Sequence, residues 1–252
     1  MRILLVVISV LLAALIPSAQ GADLTAEQVR GILAAAADRP ADLSGQSLEN
    51  LDLSNVDFKR ANLSGANLFG AKLDTADLTG ANLSGAKLDL AWIMRANFTN
   101  ANLSNASLLG LVVSSGLENN MAEAPIFKGA KLTGAHIIAR LSRFDLSGAD
   151  LSEANMAPDL RNQSMGLMRT DLSGANLSGA DLSKADLAFA LMRFTDLKGA
   201  ILRGANLNSA DLSGADLTNA DLTGADATDA DFGRAVLHGA RGLDTVKGLT
   251  RR

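Results

Sequence analysis

From residue 43 to residue 237 a large apolar side chain recurs every fifth residue, and a small residue, usually Ala, stands two positions before it. The pattern is plainest between Ala205 and Phe232, which reads Ala-Asn-Leu-Asn-Ser, Ala-Asp-Leu-Ser-Gly, Ala-Asp-Leu-Thr-Asn, Ala-Asp-Leu-Thr-Gly, Ala-Asp-Ala-Thr-Asp and Ala-Asp-Phe. The large residue is position i, the small one i−2, and the Asn or Asp between them i−1. A period of five fits neither regular element. On a helix, five residues advance the side chain by about 140°, so the Leu series makes no stripe. On a strand, an odd period throws each successive Leu onto the opposite face. A chain that turns a corner once per repeat keeps i and i−2 inside and the other three residues outside. Gly, Asn and Ser at i+1 and i+2 suit such corners. Coils stacked on one another would satisfy the backbone N–H and C=O groups between them. This pattern predicts a solenoid and leaves open how many corners each coil has.

Position i runs without a slip from Leu43 to Val113, restarts at Phe127, Leu132 and Ile137, drops one residue and continues at Leu141, Leu146, Leu151 and Met156. A final run extends from Leu167 to Leu237. The expected organisation is therefore a first repeat block over 41–115, a loop over 116–125, a second block over 126–158, a loop over 159–166, a third block over 167–239 and a C-terminal cap or tail over 240–252. One continuous rod with bulging loops is preferred over two domains, because coils stack by nearest-neighbour contact. Ahead of the repeats, Thr25 and Gln28 form a capping-box pattern, and Leu24, Val29, Ile32 and Leu33 could line one helical face before Asp38-Arg39-Pro40 ends it. A short helix within 22–40 would serve to cap the first coil, whose strand edges are otherwise bare.

Units such as Ala61-Asn62-Leu63-Ser64-Gly65 and Ala180-Asp181-Leu182-Ser183-Lys184 resemble the pentapeptide-repeat family. The resemblance spans about 190 of the 252 residues. It implies an all-β fold, a right-handed quadrilateral parallel β-helix with four repeats per coil, and it implies little about function.

Composition agrees with a narrow tube filled by Leu and Ala. The chain holds 8 Phe, 1 Trp, no Tyr and 4 Pro, fewer large side chains than a conventional core of this size would use. Residues 1–21 read as a secretory signal peptide, with Arg2, an apolar run from Ile3 to Ile16, and small residues up to a cleavage site after Gly21. The other reading, an uncleaved anchor, is disfavoured because the run falls short of the roughly 20 residues a spanning helix needs. The expected location is periplasmic or secreted, with no membrane span in the mature chain. There is no Cys, so acylation at a lipoprotein cysteine, disulfides and thiol chemistry are all excluded. Without residues 1–21 the chain carries 22 basic and 27 acidic residues, a net charge of −5 that argues against nucleic-acid binding.

Candidate chemistry is sparse. The two His residues, His136 and His238, lie a hundred positions apart, and no Ser-His-Asp set, His/Cys metal spacing or phosphate-binding glycine loop can be assembled. We therefore expect no catalytic residues, no cofactor and no metal site. From Gly204 to Gly233 there are six Asp and no Lys or Arg, and a period of 20 would stack Asp211 on Asp231 and Asp196 on Asp216. A solvated acidic surface is the plainer reading and a Ca²⁺ or cationic-partner face the sharper one. Large apolar residues at outward positions carry more information. Trp92 is one, and Phe189, Leu191, Phe194 and Ile201 are expected to form an apolar contact patch, covered either by the loop carrying Leu160 and Met165 or by another molecule. The reading adopted is a non-catalytic exported structural or protein-binding solenoid. Its partner would be an unidentified protein or envelope component, a second copy of the chain being one candidate. The alternative rests on the resemblance, which includes cytoplasmic DNA-mimicking rods that interact with topoisomerases. The signal peptide and the moderate charge depart from that type.

Overall fold

The computed structural model describes residues 21–37, 39–116, 120–161 and 168–249. The proposed signal peptide falls almost wholly outside them, as do the expected inward residue Leu167 and the loop residue Met165. Within the described residues, parallel backbone bridges join residues 20 apart: Asp42 to Asn62, Ser47 to Asn67, Asp52 to Lys72 and Asp57 to Asp77. Four repeats therefore close one coil, and the rod has four faces, numbered here 1 to 4 in that order. Nine coils run from Asp42 to Val236, with a partial coil beyond that places Arg241 on face 1 and Lys247 on face 2. At about 4.8 Å per coil the rod is roughly 45 Å long.

Each face is short because the chain turns after position i. The N–H of the residue three beyond i donates to the carbonyl of i, as Ala66 does to Leu63 at 3.0 Å. Position i+2 has positive φ at nearly every corner, whether it is Gly65 (65°), Asn105 (57°) or Phe194 (54°), while i+1 stays negative. This is the backbone of a type II turn, which favours Gly or Asn at its third residue. The side chain at i−1 closes the same corner. The carboxylate of Asp216 accepts the N–H of Thr218 at 3.0 Å and the Thr218 hydroxyl at 2.6 Å, and Asp221–Thr223 and Asp226–Thr228 repeat the arrangement. Asp or Asn at i−1, followed by Ser or Thr at i+1, is thus a device for turning the chain.

Inside, i and i−2 form one apolar cluster from Val29 to Ala227. Leu177 and Leu212 are fully buried, as the pattern predicts. In-register stacking puts like on like, so the Phe98 and Phe127 rings stack face to face with centroids 4.8 Å apart. Among the described residues the partial coil pairs only with faces 1 and 2 of the last full coil, and Phe232 and Leu237, on faces 3 and 4, are only partly buried.

The N-terminal helix α1 spans Ala26–Ala36 with Thr25 as N-cap, and both hydrogen bonds of the capping box with Gln28 are present. Val29 is fully buried and Leu24, Ile32 and Leu33 pack against the cluster. Just before it, Asp23 completes the edge of the first coil. Its N–H donates to the Ser47 carbonyl and its carboxylate accepts the Ser47 N–H, both at 2.8 Å.

Three irregularities interrupt the period. Asn97 pairs with Ile126 and Asn102 with Lys131, a spacing of 29, so the first loop leaves the ladder after Val113 on face 3 and returns at Ile126 on face 4. A short 3-10 helix, Met121–Glu123, lies within it, and Glu123 accepts the hydroxyls of Ser114 and Ser115, both at 2.9 Å. Next, Ile126 pairs with Asp145, a spacing of 19, which is the dropped residue. There β1 (Ser107–Leu109) and β2 (His136–Ile138) pair in parallel over three residues, because the chain stays extended where a two-residue turn would stand. Finally Arg140 pairs with Asp171, a spacing of 31. The second loop is longer than the sequence suggests, since the ladder stops at Asn155 on face 2 and resumes at Asp171 on face 3.

Two stability tests follow from the packing. Leu177→Ala should cost about 2–5 kcal/mol through lost transfer energy and a cavity, read from denaturant unfolding. At the corners, a Cβ added to Gly224 meets nothing within 4 Å, whereas one added to Gly214 would lie 2.5 Å from the Phe194 ring, with φ at 69° in both. Gly224→Ala should cost about 1–2 kcal/mol for the left-handed backbone alone. Gly214→Ala should cost about 1–3 kcal/mol more, and Phe194→Ser should remove that excess. Equal losses at the two glycines would show that the ring does not rest there.

Candidate functional site

The acidic stretch is not a bare carboxylate surface. Asp211 pairs with Arg193, Asp216 with Lys198 at 3.0 Å, Asp221 with Arg203 at 2.8 Å and Asp226 with Lys247 at 2.8 Å. Three of these cations stand 18 positions before their carboxylate, at i+1 of the coil below. The stacks expected of Asp211 with Asp231 and of Asp196 with Asp216 do form, and the Lys198 ammonium sits between the latter two at 3.2 and 3.0 Å. Among the described residues no three His, Cys, Asp or Glu converge on a point where a metal ion could sit. His136 lies half-buried on face 2 of the middle of the rod, and His238 is exposed at a corner of the last coil.

These contacts depress the carboxylate pKa values. The Thr218 hydroxyl, the Thr218 N–H and then Lys198 hold Asp216 down to about 2. Lys247 and then Thr228 hold Asp226 down to about 2. Asp221, only 3% exposed, lies well below the ordinary carboxylate range through the Thr223 hydroxyl and Arg203.

The outward apolar residues are arranged differently from the expected patch. Leu191 lies on face 3, bridged to Asp171 and Asp211, with Phe189 at the corner before it and Phe194 at the corner after it. Ile201 is bridged to Asp181 and Asp221 on face 1, on the opposite side of the rod. Two repeats separate Leu191 from Ile201, and two of four faces amount to half a turn, so the four residues cannot make one patch. Phe194 is 73% exposed, whereas Phe189 and Leu191 are half-buried among their own coils. Trp92, four coils earlier, belongs to face 3, with the Lys72 ammonium 5.9 Å from its ring centroid.

Face 3 also carries the break in the ladder. Its bridges run Asp52–Lys72–Trp92–Val112 and then Arg140–Asp171–Leu191–Asp211–Asp231, and among the described residues no bridge joins Val112 to Arg140. The shortened corner after Ile138 and the departure of the first loop after Val113 meet at this level. Between the two coils lies a groove of about 410 Å³, walled by Leu111, Val112 and Val113 on one side and Ile138, Ala139 and Arg140 on the other, with Met168 at its mouth. Met168 (61% exposed) is part of its lining, while Leu90 (49%) and Trp92 (40%) lie one coil below the wall formed by Gly110 to Val113. Both loops border face 3, the first leaving at its far corner and the second returning at its near corner. Leu90, Val112 and Met168 were missed from sequence. Aligning the chain at a period of 20 sets Val112 directly after Trp92, whereas the opening of the rung has no sequence signal beyond the dropped residue.

The family model described as pentapeptide repeats matches 8 copies of the unit, over 41–74, 58–91, 74–111, 167–204 and 200–239. The chain belongs to the pentapeptide repeat family. Its right-handed β-helix is the architecture seen here. The stretch between the matched segments, 112–166, holds both loops, the dropped residue and the open rung. Among solved structures the chain is similar to HetL, a pentapeptide repeat protein from the cyanobacterium Nostoc sp. strain PCC 7120 involved in heterocyst differentiation regulation. The identity is 29%, over 86% of this chain and 94% of that one, with a TM-score of 0.37. It is also similar to Rfr23 from the cyanobacterium Cyanothece 51142 (26% identity, 62% of this chain and 90% of that one, TM-score 0.33). A third is full-length QnrB1, a plasmid-mediated fluoroquinolone resistance protein (20% identity, 74% and 89%, TM-score 0.42). No curated protein matches the sequence.

The depressed carboxylates make acid stability a test of the ladder. A group whose folded pKa is lowered stabilises the fold above its unfolded pKa and loses that contribution as pH falls through the folded value. For Asp216 and Asp226 the window runs from the ordinary 3.8 down to about 2. The thermal midpoint should fall across that window and fall less steeply in Asp216→Asn/Asp226→Asn. An unchanged slope in the double variant would mean that these pairs contribute nothing. At neutral pH, millimolar Ca²⁺ should barely move the midpoint, whereas a specific site at 100 times its dissociation constant would add about 2.7 kcal/mol.

Proposed function

We propose that this pentapeptide repeat protein is an exported, non-catalytic solenoid that binds a protein partner through face 3. The observation that supports the reading is convergence. The open rung, the two loop junctions, Trp92 and Leu191, and the corner residues Leu90, Phe189 and Phe194 all belong to or border the same one of four faces. A repeat needs none of these features to close a coil, and clustered exposed apolar residues mark contact surfaces. The apolar walls of the groove, Leu111 and Val113 facing Ile138 and Ala139, suit the side chains of an extended segment. Export rests on the charged start, apolar run and small residues of 1–21. No helix among the described residues is long and apolar enough to cross a membrane. The topoisomerase-interacting alternative draws on an acidic surface, and in this rod the stacked carboxylates are interleaved with Lys and Arg.

Export is tested by cell fractionation with N-terminal sequencing, which should find the protein outside the cytosol beginning at Ala22. Cytosolic protein retaining residues 1–21 would overturn it. For binding, a photo-crosslinker at Val112 should yield a discrete adduct in the native envelope, and one at Asn82 on face 1 should not. Leu90→Ser/Trp92→Ser should abolish the adduct, as loss of aromatic anchors does, and leave the thermal midpoint nearly unchanged. A midpoint that collapses in that variant, or adducts of equal strength from both faces, would show that face 3 is structural only.

A further inference from the structure

The N-terminal end of the rod is covered unevenly. Asp23 completes the strand edge at Ser47, and the Arg30 guanidinium donates to the Asp52 carbonyl at 3.2 Å. Among the described residues the third edge, at Asp57 on face 4, has no such cover. Phe58 donates its N–H to Asp77, and Val56 accepts from Asp77, so these groups point toward the second coil. Strand alternation then aims the Asp57 N–H and C=O the other way, away from the rod, and among the described residues neither has a backbone partner. They open into a cleft of about 640 Å³ between α1 and the first coil. Among the described residues four cations line it, Arg30, Arg39, Lys59 and Arg60, against one carboxylate, that of Asp57. Lys59 is engaged by Asp57 at 3.4 Å and Asp77 at 3.1 Å. Arg39 and Arg60 form no ion pair among the described residues. Between the charges the floor is apolar, with Leu33 and with Val56 at 6% exposed.

We propose that this cleft binds an acidic peptide in extended conformation, which adds a strand to the open edge at Asp57 and sets its carboxylates against Arg39 and Arg60. Charge complementarity selects an anion, because an excess of cations around one carboxylate leaves the cleft positive although the whole chain is net negative. The free N–H and C=O select a polypeptide over a small anion, since only a backbone can meet both at ladder spacing. The planar Arg side chains match carboxylates through paired hydrogen bonds. This site is independent of face 3. It lies on the face 4 side of the N-terminal end, and its ligand is recognised by charge and backbone pairing instead of by apolar anchors.

The test uses the purified protein and a fluorescein-labelled peptide, Glu-Val-Glu-Val-Glu-Val-Glu, followed by fluorescence anisotropy at low salt. Saturable binding is expected that weakens as ionic strength rises. Arg60→Ser and Arg39→Ser/Arg60→Ser should weaken it, the double variant by about tenfold or more, as loss of a charge-assisted hydrogen bond does. Arg60→Ser alone serves as the check that α1 is still seated, through an unchanged thermal midpoint. In hydrogen exchange the Asp57 amide should slow on peptide binding while the Ser47 amide, already bonded to Asp23, does not. A peptide N-methylated at alternate amides should bind more weakly. Absence of saturable binding, equal binding by the double variant, equal binding of the N-methylated peptide, or displacement of the peptide by phosphatidylglycerol vesicles would each overturn the proposal.

Discussion

Everything in this rod depends on the backbone ladder that sets residue n over residue n+20. Once that register holds, each side chain sits on its counterpart in the next coil, and the sequence must be acceptable to itself. Leu on Leu and Ala on Ala are favourable without adjustment. Phe98 over Phe127 gives parallel rings with centroids 4.8 Å apart, within the range of favourable stacked aromatic pairs. Asp over Asp is unfavourable by itself, and the chain answers with a cation at i+1 of the coil below, close to the carboxylate above it. Lys59 between Asp57 and Asp77, and Lys198 between Asp196 and Asp216, are the clearest cases. Exposed ion pairs of this kind stabilise weakly one at a time, so their effect here is mainly to remove a repulsion that the register creates.

The architecture was legible because a period of five excludes both helix and flat strand, and the inward positions follow from that exclusion alone. Thr25 and Gln28 announced α1 for an equally local reason, a capping box being contained within four residues. What failed was the move from one dimension to two. Phe189, Leu191, Phe194 and Ile201 are neighbours in sequence, but ten residues is half a coil, and Ile201 ends on the opposite side from Leu191. The acidic stretch misled in the same way. It contains no Lys or Arg, yet its partners Arg193, Lys198 and Arg203 lie just before it in sequence and one coil below in space. Both errors come from reading composition along the chain where contacts run across it.

The open rung at face 3 belongs to a different class. The dropped residue between Ile137 and Leu141 is visible in the sequence, but its consequence depends on where the first loop leaves. A one-residue deletion alone could be absorbed by a local bend, and faces 1, 2 and 4 show this by staying paired through the same coil. Only on face 3, where the strand carrying Val112 ends in a departing loop, is a bridge between these two coils missing among the described residues. Position and deletion together make the groove, and neither suffices separately.

Compensation inside the tube shows how the fold accepts this. At i−2 along face 4 the residues are Val56, Ala76, Ala96, Pro125, Phe144, Ala175, Thr195, Ala215 and Ala235. Phe144 stands where a small residue is the norm, one coil after the first loop and just past the shortened corner, and it is 1% exposed. Nearby, the single Thr170 hydroxyl proton is shared between the carbonyls of Ile137 and Met156, 2.8 and 2.9 Å away, tying the return of the second loop to the corner where the period is short. A core that accommodates a full aromatic ring at a position built for Ala has been repacked around the irregular coil. Phe144 and Thr170 thus fix from within the irregular coil that forms one wall of the groove. An unsupported break would let the coils on either side slide together and close it.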